Sequence, residues 1–171
     1  SITRVNELLR GLATVNNEIK NANVSGNQAL ELLDERNMML DELSGYLNIE
    51  IVSNKVDIGG GRSVEEISVN LIGAGGDKFN LVENNKYRTF DLAKDNNGDV
   101  TQPISIILYD YDGYPVNASD RALIGLTDGN ITDQITTGAF SGHLKILNGK
   151  GEFDNPPTQI RGIQYYESML D

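Results

Sequence analysis

Apolar residues recur at helical spacing through the first part of the chain. Between residues 1 and 20 they advance in steps of three and four, which forms one apolar stripe along a helix. The same heptad spacing returns between residues 29 and 47, and Ser25 and Gln28 have the spacing of a capping box that would start this second helix. Because so short a loop joins them, the two helices must run antiparallel. The pattern predicts a helical hairpin over residues 1–47. Its predicted packing core consists of Ile2, Val5, Leu9, Leu12, Ile19, Leu33, Leu40, Leu43 and Leu47.

Two polar residues interrupt these apolar stripes, Asn16 in the first helix and Arg36 in the second. In one interpretation the Arg36 side chain extends to water and Asn16 costs a little stability. In the other interpretation the two residues fix the helical register or pair across a helix contact. The pattern alone leaves both interpretations open.

The period of the pattern changes after Asn48, where apolar and polar residues begin to alternate. Alternation is typical of strands buried on one face, and clusters of Gly, Asn and Asp separate the runs at hairpin-like intervals. The predicted strands include the pairs and triplets Ile49/Ile51, Ile67/Val69/Leu71 and Phe79/Leu81, and a more apolar run within residues 103–116. This part of the sequence predicts an antiparallel β-domain over residues 48–139.

Helical spacing returns near the end of the chain. We expect a short helix from Ser141 to Asn148, ended by Gly149. A further apolar stripe follows at Ile163, Tyr166, Met169 and Leu170. The stripes at both ends predict helices that continue beyond the given sequence. The predicted fold class is α+β. A discontinuous helical stalk (residues 1–47 plus 140–171) carries an inserted β-rich domain (residues 48–139).

The net charge and the hydropathy pattern argue against nucleic acid and membrane partners. The formal net charge is −11, and residues 48–139 carry 7 basic and 14 acidic residues, so most of the excess lies in the predicted β-domain. Nucleic acid binding needs cations against phosphates, so we expect no nucleic acid partner. We also expect no membrane partner, because no apolar run approaches the roughly 20 residues that a bilayer helix needs.

Few residues offer candidate chemistry. The chain has no cysteine, and this excludes disulfides, thiolate catalysis and Cys-ligated zinc. It has a single histidine, His143. The Asp95–Asp99 stretch resembles the start of a calcium loop but lacks its later ligands, so a solvated turn is favoured over a weak surface ion. Asp110 and Asp112 could form the paired carboxylates of a glycosidase, although such pairs are common in an acidic chain. We therefore expect neither a cofactor nor a bound metal.

Motifs at both ends carry a family resemblance. The segment ALELLDERNMMLDELSGYLNIEI contains Leu-Leu-Asp-x-Arg, then Leu-x-Glu-Leu-Ser, then a predicted strand. This order resembles the bacterial flagellar hook-associated protein 1 family, as does the preceding stretch VNNEIKNANVSGNQA. The later segments SGHLKILNGKGEF and RGIQYYESMLD are similar to that family's Gly-x-Leu-Lys segment and to the start of its returning helix. The matched residues in the first segment are Leu32, Leu33, Asp34, Arg36, Leu40, Glu42, Leu43 and Ser44.

The resemblance implies a structural subunit of the bacterial flagellum that joins hook to filament by helix packing and self-assembly, without catalysis. The implied partners are the flagellar hook protein, the second junction protein and further copies of the chain. The implied location is extracellular, after export by the flagellar secretion system without a cleaved signal peptide. We expect the isolated chain to be monomeric. The resemblance also adds Asp34 to Asn16 and Arg36 as a possible register or interface residue.

Two other functions remain open at this point. One is a different binding module, such as a phage-tail or other surface subunit, which would share an inserted β-domain. The other is a carbohydrate-active enzyme that uses paired carboxylates in the β-domain.

Overall fold

The computed structural model describes residues 2–26, 29–117, 126 and 128–153, with side chains described as far as residue 148. This part of the chain contains three α-helices, a four-stranded sheet and a two-stranded sheet. The strand pairs in both sheets are antiparallel, so the predicted α+β class is confirmed.

Helices α1 (Ile2–Val24) and α2 (Leu30–Tyr46) form an antiparallel hairpin. Three contacts show that the helices run in opposite directions. Later residues of α1 contact earlier residues of α2. Arg4 binds Glu42, Gly11 lies near Met39, and Arg36 binds Asn16. The helices follow the heptad spacing of the sequence.

The predicted helix cap between them has a different role. The Ser25 hydroxyl donates to the carbonyl of Asn21, so it binds the last turn of α1. Helix α2 is preceded by Ala29, which makes no side-chain cap bond. Gln28, the other residue of the predicted capping box, lies outside the described residues.

The larger sheet has the strand order β1-β2-β3-β4, and the smaller one pairs β5 with β6. The six strands are β1 (Ile49–Gly59), β2 (Arg62–Ile72), β3 (Lys78–Glu83), β4 (Lys86–Tyr87), β5 (Thr89–Leu92) and β6 (Ile106–Tyr109). The predicted alternation appears in β2 and β3, where Ile67, Val69, Leu71, Phe79 and Leu81 are buried. Strand β1 lies at the sheet edge, and its Ile51 is 47% exposed. A triple-glycine turn with positive φ angles joins β1 to β2.

Helix α3 (Gly138–Phe153) is longer than the sequence predicted. It begins three residues before Ser141, and it continues past Gly149, so the prediction that Gly149 ends the helix is wrong. An interior glycine costs only about 1 kcal/mol relative to alanine. Burial of Phe140, Leu144 and Leu147 on one side of α3 supplies a larger opposing contribution.

One hydrophobic core joins helices and sheets. Val5 of α1, Leu43 of α2, Val69 of β2 and Leu108 of β6 belong to the same cluster of buried residues, as does Leu147 of α3. A smaller cluster of Val15, Ile19 and Ala29 lies at the other end of the helical hairpin. The division into a helical stalk and an inserted β-domain stays a prediction. In the structure, one buried core is continuous between the helices and the sheets.

Two further sequence predictions concern the last apolar stripe and membrane-spanning helices. The apolar stripe at Ile163, Tyr166, Met169 and Leu170 lies outside the described residues. Within the part that is described, no helix combines the length and apolar character that a bilayer crossing requires.

Candidate functional site

Most of the residues identified from the sequence lie where the helical hairpin meets the sheets and the third helix. Eight of the nine predicted packing residues are buried, with at most 6% of their surface exposed. The ninth, Leu33, is half-buried and packs against the smaller cluster. The candidate site is this set of contacts, which fixes the position of each element.

Arg36 is the central polar residue of the helix–sheet contact. It is only 3% exposed, and its Nη2 donates to Oε1 of Glu65 in β2 at 2.8 Å. Its Nη1 lies 3.4 Å from Oδ1 of Asn16, while its Nε is buried with no hydrogen-bond partner among the described residues. The side chain therefore does not extend to water. It pairs across the helical hairpin and with the sheet.

Asn16 extends this contact to the backbone of the sheet. Its Nδ2 donates to the carbonyl oxygens of Asn84 at 2.9 Å and Ile67 at 3.3 Å. Both amide atoms of this buried side chain are thus hydrogen-bonded, which offsets the cost of burying them. The structure brings Asn16 and Arg36 together as one polar contact between α1, α2 and β2.

Asp34, the third candidate, is exposed on α2 and is not part of this contact. A different pair joins the other ends of the two helices. Glu42 accepts hydrogen bonds from Nη2 of Arg4 at 2.9 Å and from Nε of Arg4 at 2.5 Å. The Arg4 guanidinium lowers the pKa of Glu42 below its usual value, and the same bonds raise the pKa of Arg4.

Two other helical asparagines bind backbone groups that are distant in the sequence, and they were not identified from the sequence. Asn6 of α1 both donates to the carbonyl of Phe90 and accepts its N–H, each at 2.8 Å. Asn148 of α3 makes the same two-way contact with Ile104, at 2.9 and 3.2 Å. Each side chain offers the donor and acceptor that a neighbouring strand would supply. The only sequence signal was a polar residue directly after a core residue, and that signal is too common to be specific.

Arg88 organises a second polar contact, between β3 and the turn after β6. It is 5% exposed, and its Nη1 donates to the backbone and side-chain oxygens of Asn80, each at 2.9 Å. Its Nε donates to Asp110 at 3.1 Å, and its guanidinium carbon lies 4.2 Å from the centre of the Tyr111 ring. The contact combines charge-assisted hydrogen bonds with a cation–π interaction.

The carboxylates considered for catalysis have structural partners. Besides binding Arg88, Asp110 accepts the N–H of Tyr111 at 2.8 Å, and Asp112 accepts the N–H of Tyr114 at 3.0 Å. These bonds hold the turn after β6.

The turn considered for ion binding is also held by its own side chain. Oδ1 of Asp95 accepts the N–H groups of Asn97 at 2.8 Å and Asp99 at 3.0 Å. Within the described residues, no group of three or more His, Asp or Glu side chains is placed to hold a metal ion. His143 lies on α3, where burial lowers its pKa.

Comparison with models of protein families gives a match. The family model described as "Flagellar hook-associated protein FlgK helical domain" matches residues 1–153, and no curated protein matches the chain significantly. The matched range includes the helical hairpin, both sheets and α3. The chain therefore belongs to the FlgK helical domain family of flagellar hook-associated proteins.

Proposed function

We propose that the chain forms part of a structural subunit that joins the hook of the bacterial flagellum to its filament, and that it acts by packing and assembly without catalysis. The observation that carries this proposal is the match to the FlgK helical domain over residues 1–153. Membership of this family places the protein in the flagellum and gives it a structural role; the junction position is our inference.

The contacts between helices and sheets support a structural role. Four helical side chains that could serve ligand binding in another protein instead bind backbone groups or a carboxylate of the β-rich part of the chain: Asn6, Asn16, Arg36 and Asn148. Such contacts fix the relative position of α1, α2, α3 and the two sheets. A subunit that transmits force or fixes its neighbours needs this kind of internal rigidity.

The proposal includes partners and a route. The partners are the flagellar hook protein, the second junction protein and further copies of the chain. The chain is exported by the flagellar secretion system without a cleaved signal peptide and functions outside the cell. The isolated chain is monomeric, because assembly also requires the other flagellar proteins, which a purified sample lacks; light scattering of the purified chain measures this directly.

Deletion of the gene in a flagellated source strain tests the junction role. We expect hooks without filaments in electron micrographs, with filament protein released into the medium. Supplying the gene again should restore filaments, and so should a version with Gly142→Ala, a change at an exposed helix position. A version with Leu43→Asp should not, because it places a carboxylate in the core. Normal filaments in the deletion strain would rule out the junction role.

A further inference from the structure

An open groove of about 500 Å³ lies between the loop after α1 and the far end of the β1–β2 hairpin. Lys55 of β1 and Arg62 and Ser63 of β2 line it, and Gly26 of the helical loop closes its other side. We call it the Lys55 groove. It lies away from the Arg88 contact and plays no part in the contacts described above except through Glu65, which also lines it.

The Lys55 groove carries positive charge in a strongly acidic protein. Lys55 makes no hydrogen bond or ion pair with any described residue, and Arg62 donates only to the carbonyl of Val24, at 3.4 Å. The lining carboxylate, Glu65, lies opposite Lys55 in the strand register, but its Oε1 is bound by Arg36. By contrast, Arg4, Lys20, Arg36, Lys78, Arg88 and Lys94 each have a carboxylate partner. The two groove cations are therefore available to an external anion.

The Asp95–Asp99 turn provides carboxylates whose negative charge complements the cations of the Lys55 groove. Both aspartates are exposed, and neither forms an ion pair with a described residue. The bonds from Oδ1 of Asp95 to the N–H groups of Asn97 and Asp99 hold the turn in one shape. The adjacent Lys94 pairs with Asp91 instead of with these two aspartates, with Nζ of Lys94 3.7 Å from Oδ2 of Asp91. The turn thus presents two carboxylates on a fixed backbone.

Groove and turn are attached to opposite ends of α1. Arg62 binds Val24 at the end of the helix, whereas the turn follows β5, whose Phe90 is bound by Asn6 near the start. Asn6 and Val24 are separated by about 27 Å along a helix that rises 1.5 Å per residue. Complementary surfaces at opposite ends of one molecule form a head-to-tail contact, which can repeat along a series of copies.

We propose that the Lys55 groove of one copy receives the Asp95–Asp99 turn of the next copy. This inference rests on the proposed function, because exposed ion pairs are individually weak and hold only where neighbours are kept close together. The free chain therefore stays monomeric, and the contact forms within the assembled structure. The contact sets the direction in which copies follow each other.

Cysteine cross-linking in flagellated cells tests the contact, since the chain has no cysteine of its own. Ser63→Cys lines the groove and Asn97→Cys lies at the tip of the turn, and both positions are exposed. Mild oxidation of cells that carry the double variant should give a ladder of covalent dimers and larger species. Each single variant should stay monomeric, because a head-to-tail contact never places two identical positions together.

Charge variants in the double-cysteine background test the electrostatic basis. Lys55→Glu should lower the cross-linked fraction roughly fivefold, the ratio expected for loss of one favourable exposed ion pair. Adding Asp99→Lys should restore it. The matched control Lys145→Glu makes the same charge change at an exposed position of α3 and should leave the ladder unchanged.

The outcomes separate the contact from the junction role. Filaments without a ladder would overturn the contact and leave the junction role intact. A ladder that persists in full with Lys55→Glu, or dimers from Ser63→Cys alone, would also overturn it. Failure of the junction role would be detected independently, as normal filaments in the deletion strain.

Discussion

The side-chain amide of Asn6 binds both backbone groups of Phe90, a residue 84 positions away in the sequence. Phe90 lies in β5, whose strand partner within the described residues is β6. On its other side Asn6 supplies one donor and one acceptor, each at 2.8 Å, as a further strand would. A single helical side chain thus closes an exposed strand edge and connects α1 to the smaller sheet.

Replacing Asn6 tests this contact. Asn6→Ala removes both hydrogen bonds and leaves backbone groups of Phe90 unpaired, so the free energy of unfolding should fall by about 1–3 kcal/mol. Asn6→Asp should be similarly costly, because a carboxylate cannot donate to the Phe90 carbonyl. Urea unfolding followed by circular dichroism measures both. Asn37→Ala, at an exposed position of α2, is the control and should change stability by less than about 0.5 kcal/mol.

Arg36 and Glu65 should respond unequally to substitution, because one is buried and the other is half exposed. Glu65→Gln leaves a buried guanidinium without its counter-charge and should cost about 1–2 kcal/mol after allowance for solvent around Glu65. Arg36→Met removes the charge and retains most of the volume, so its cost should be smaller. In the double variant, Glu65→Gln should add almost nothing. A larger loss for Arg36→Met than for Glu65→Gln in urea unfolding would contradict this account.

Two glycines of α3 should respond in opposite directions to the same substitution. Gly138 has φ +88°, and an added Cβ would lie 2.4 Å from the carbonyl oxygen of Tyr46, so Gly138→Ala should cost about 3 kcal/mol. Gly142 lies within the helix with nothing within 4 Å of an added Cβ. Gly142→Ala should therefore stabilise the protein by about 0.5–1 kcal/mol. Thermal unfolding of the two variants provides the comparison, and equal effects would show that α3 does not pack against α2 in this way.

The Arg4–Glu42 pair predicts a small dependence of stability on pH. Arg4 lowers the pKa of Glu42 in the folded protein, so its contribution is present above the unfolded value near 4.5 and is lost as pH falls through the folded value. Glu42→Gln should therefore lower the melting temperature at about pH 7, and the loss should shrink as the pH is lowered below about 4.5. Because the pair is exposed, molar salt should reduce the difference at neutral pH. A difference that grows in acid would contradict this assignment.

The shared core predicts cooperative unfolding of helices and sheets. Leu43→Ala in α2 should cost about 2–5 kcal/mol, since Leu43 is fully buried beside residues of both sheets. Helix loss measured by circular dichroism should coincide with the change in tyrosine fluorescence. Tyr87, Tyr109, Tyr111 and Tyr114 of the strands and the turn after β6 contribute to this signal, together with Tyr46 of α2. Two separated transitions would instead support independent helical and β-domains.

Local patterns predicted most of the elements. The heptad steps from Ile2 to Leu47 and the alternation at Ile67, Val69 and Leu71 reflect fixed helix and strand periods, which a sequence displays directly. The end of α3 was predicted less well, because Gly149 lowers helix propensity only slightly and tertiary packing outweighs it.

The candidate site was predictable only in part. Asn16 and Arg36 interrupt an apolar stripe, so the pattern identified them, but it could not distinguish a solvated arginine from a buried one. Asn6, Arg88 and Asn148 interrupt no stripe, and their partners lie 84, 22 and 44 residues away. Contacts of that separation leave no periodic trace in the sequence.

The sequence by itself determined the helical hairpin, the change to strands after Asn48, the acidic surface and the family to which the chain is similar. These features follow from residue spacing, charge and short motifs, each of which acts over a few positions. Only the tertiary structure decided that helices and sheets share one core, that Arg36 binds Glu65, and that Asn6 closes the edge of β5. Those outcomes depend on which distant surfaces meet when the chain buries its apolar residues. The hydrophobic effect is non-directional, so residue spacing alone does not specify which surfaces pair.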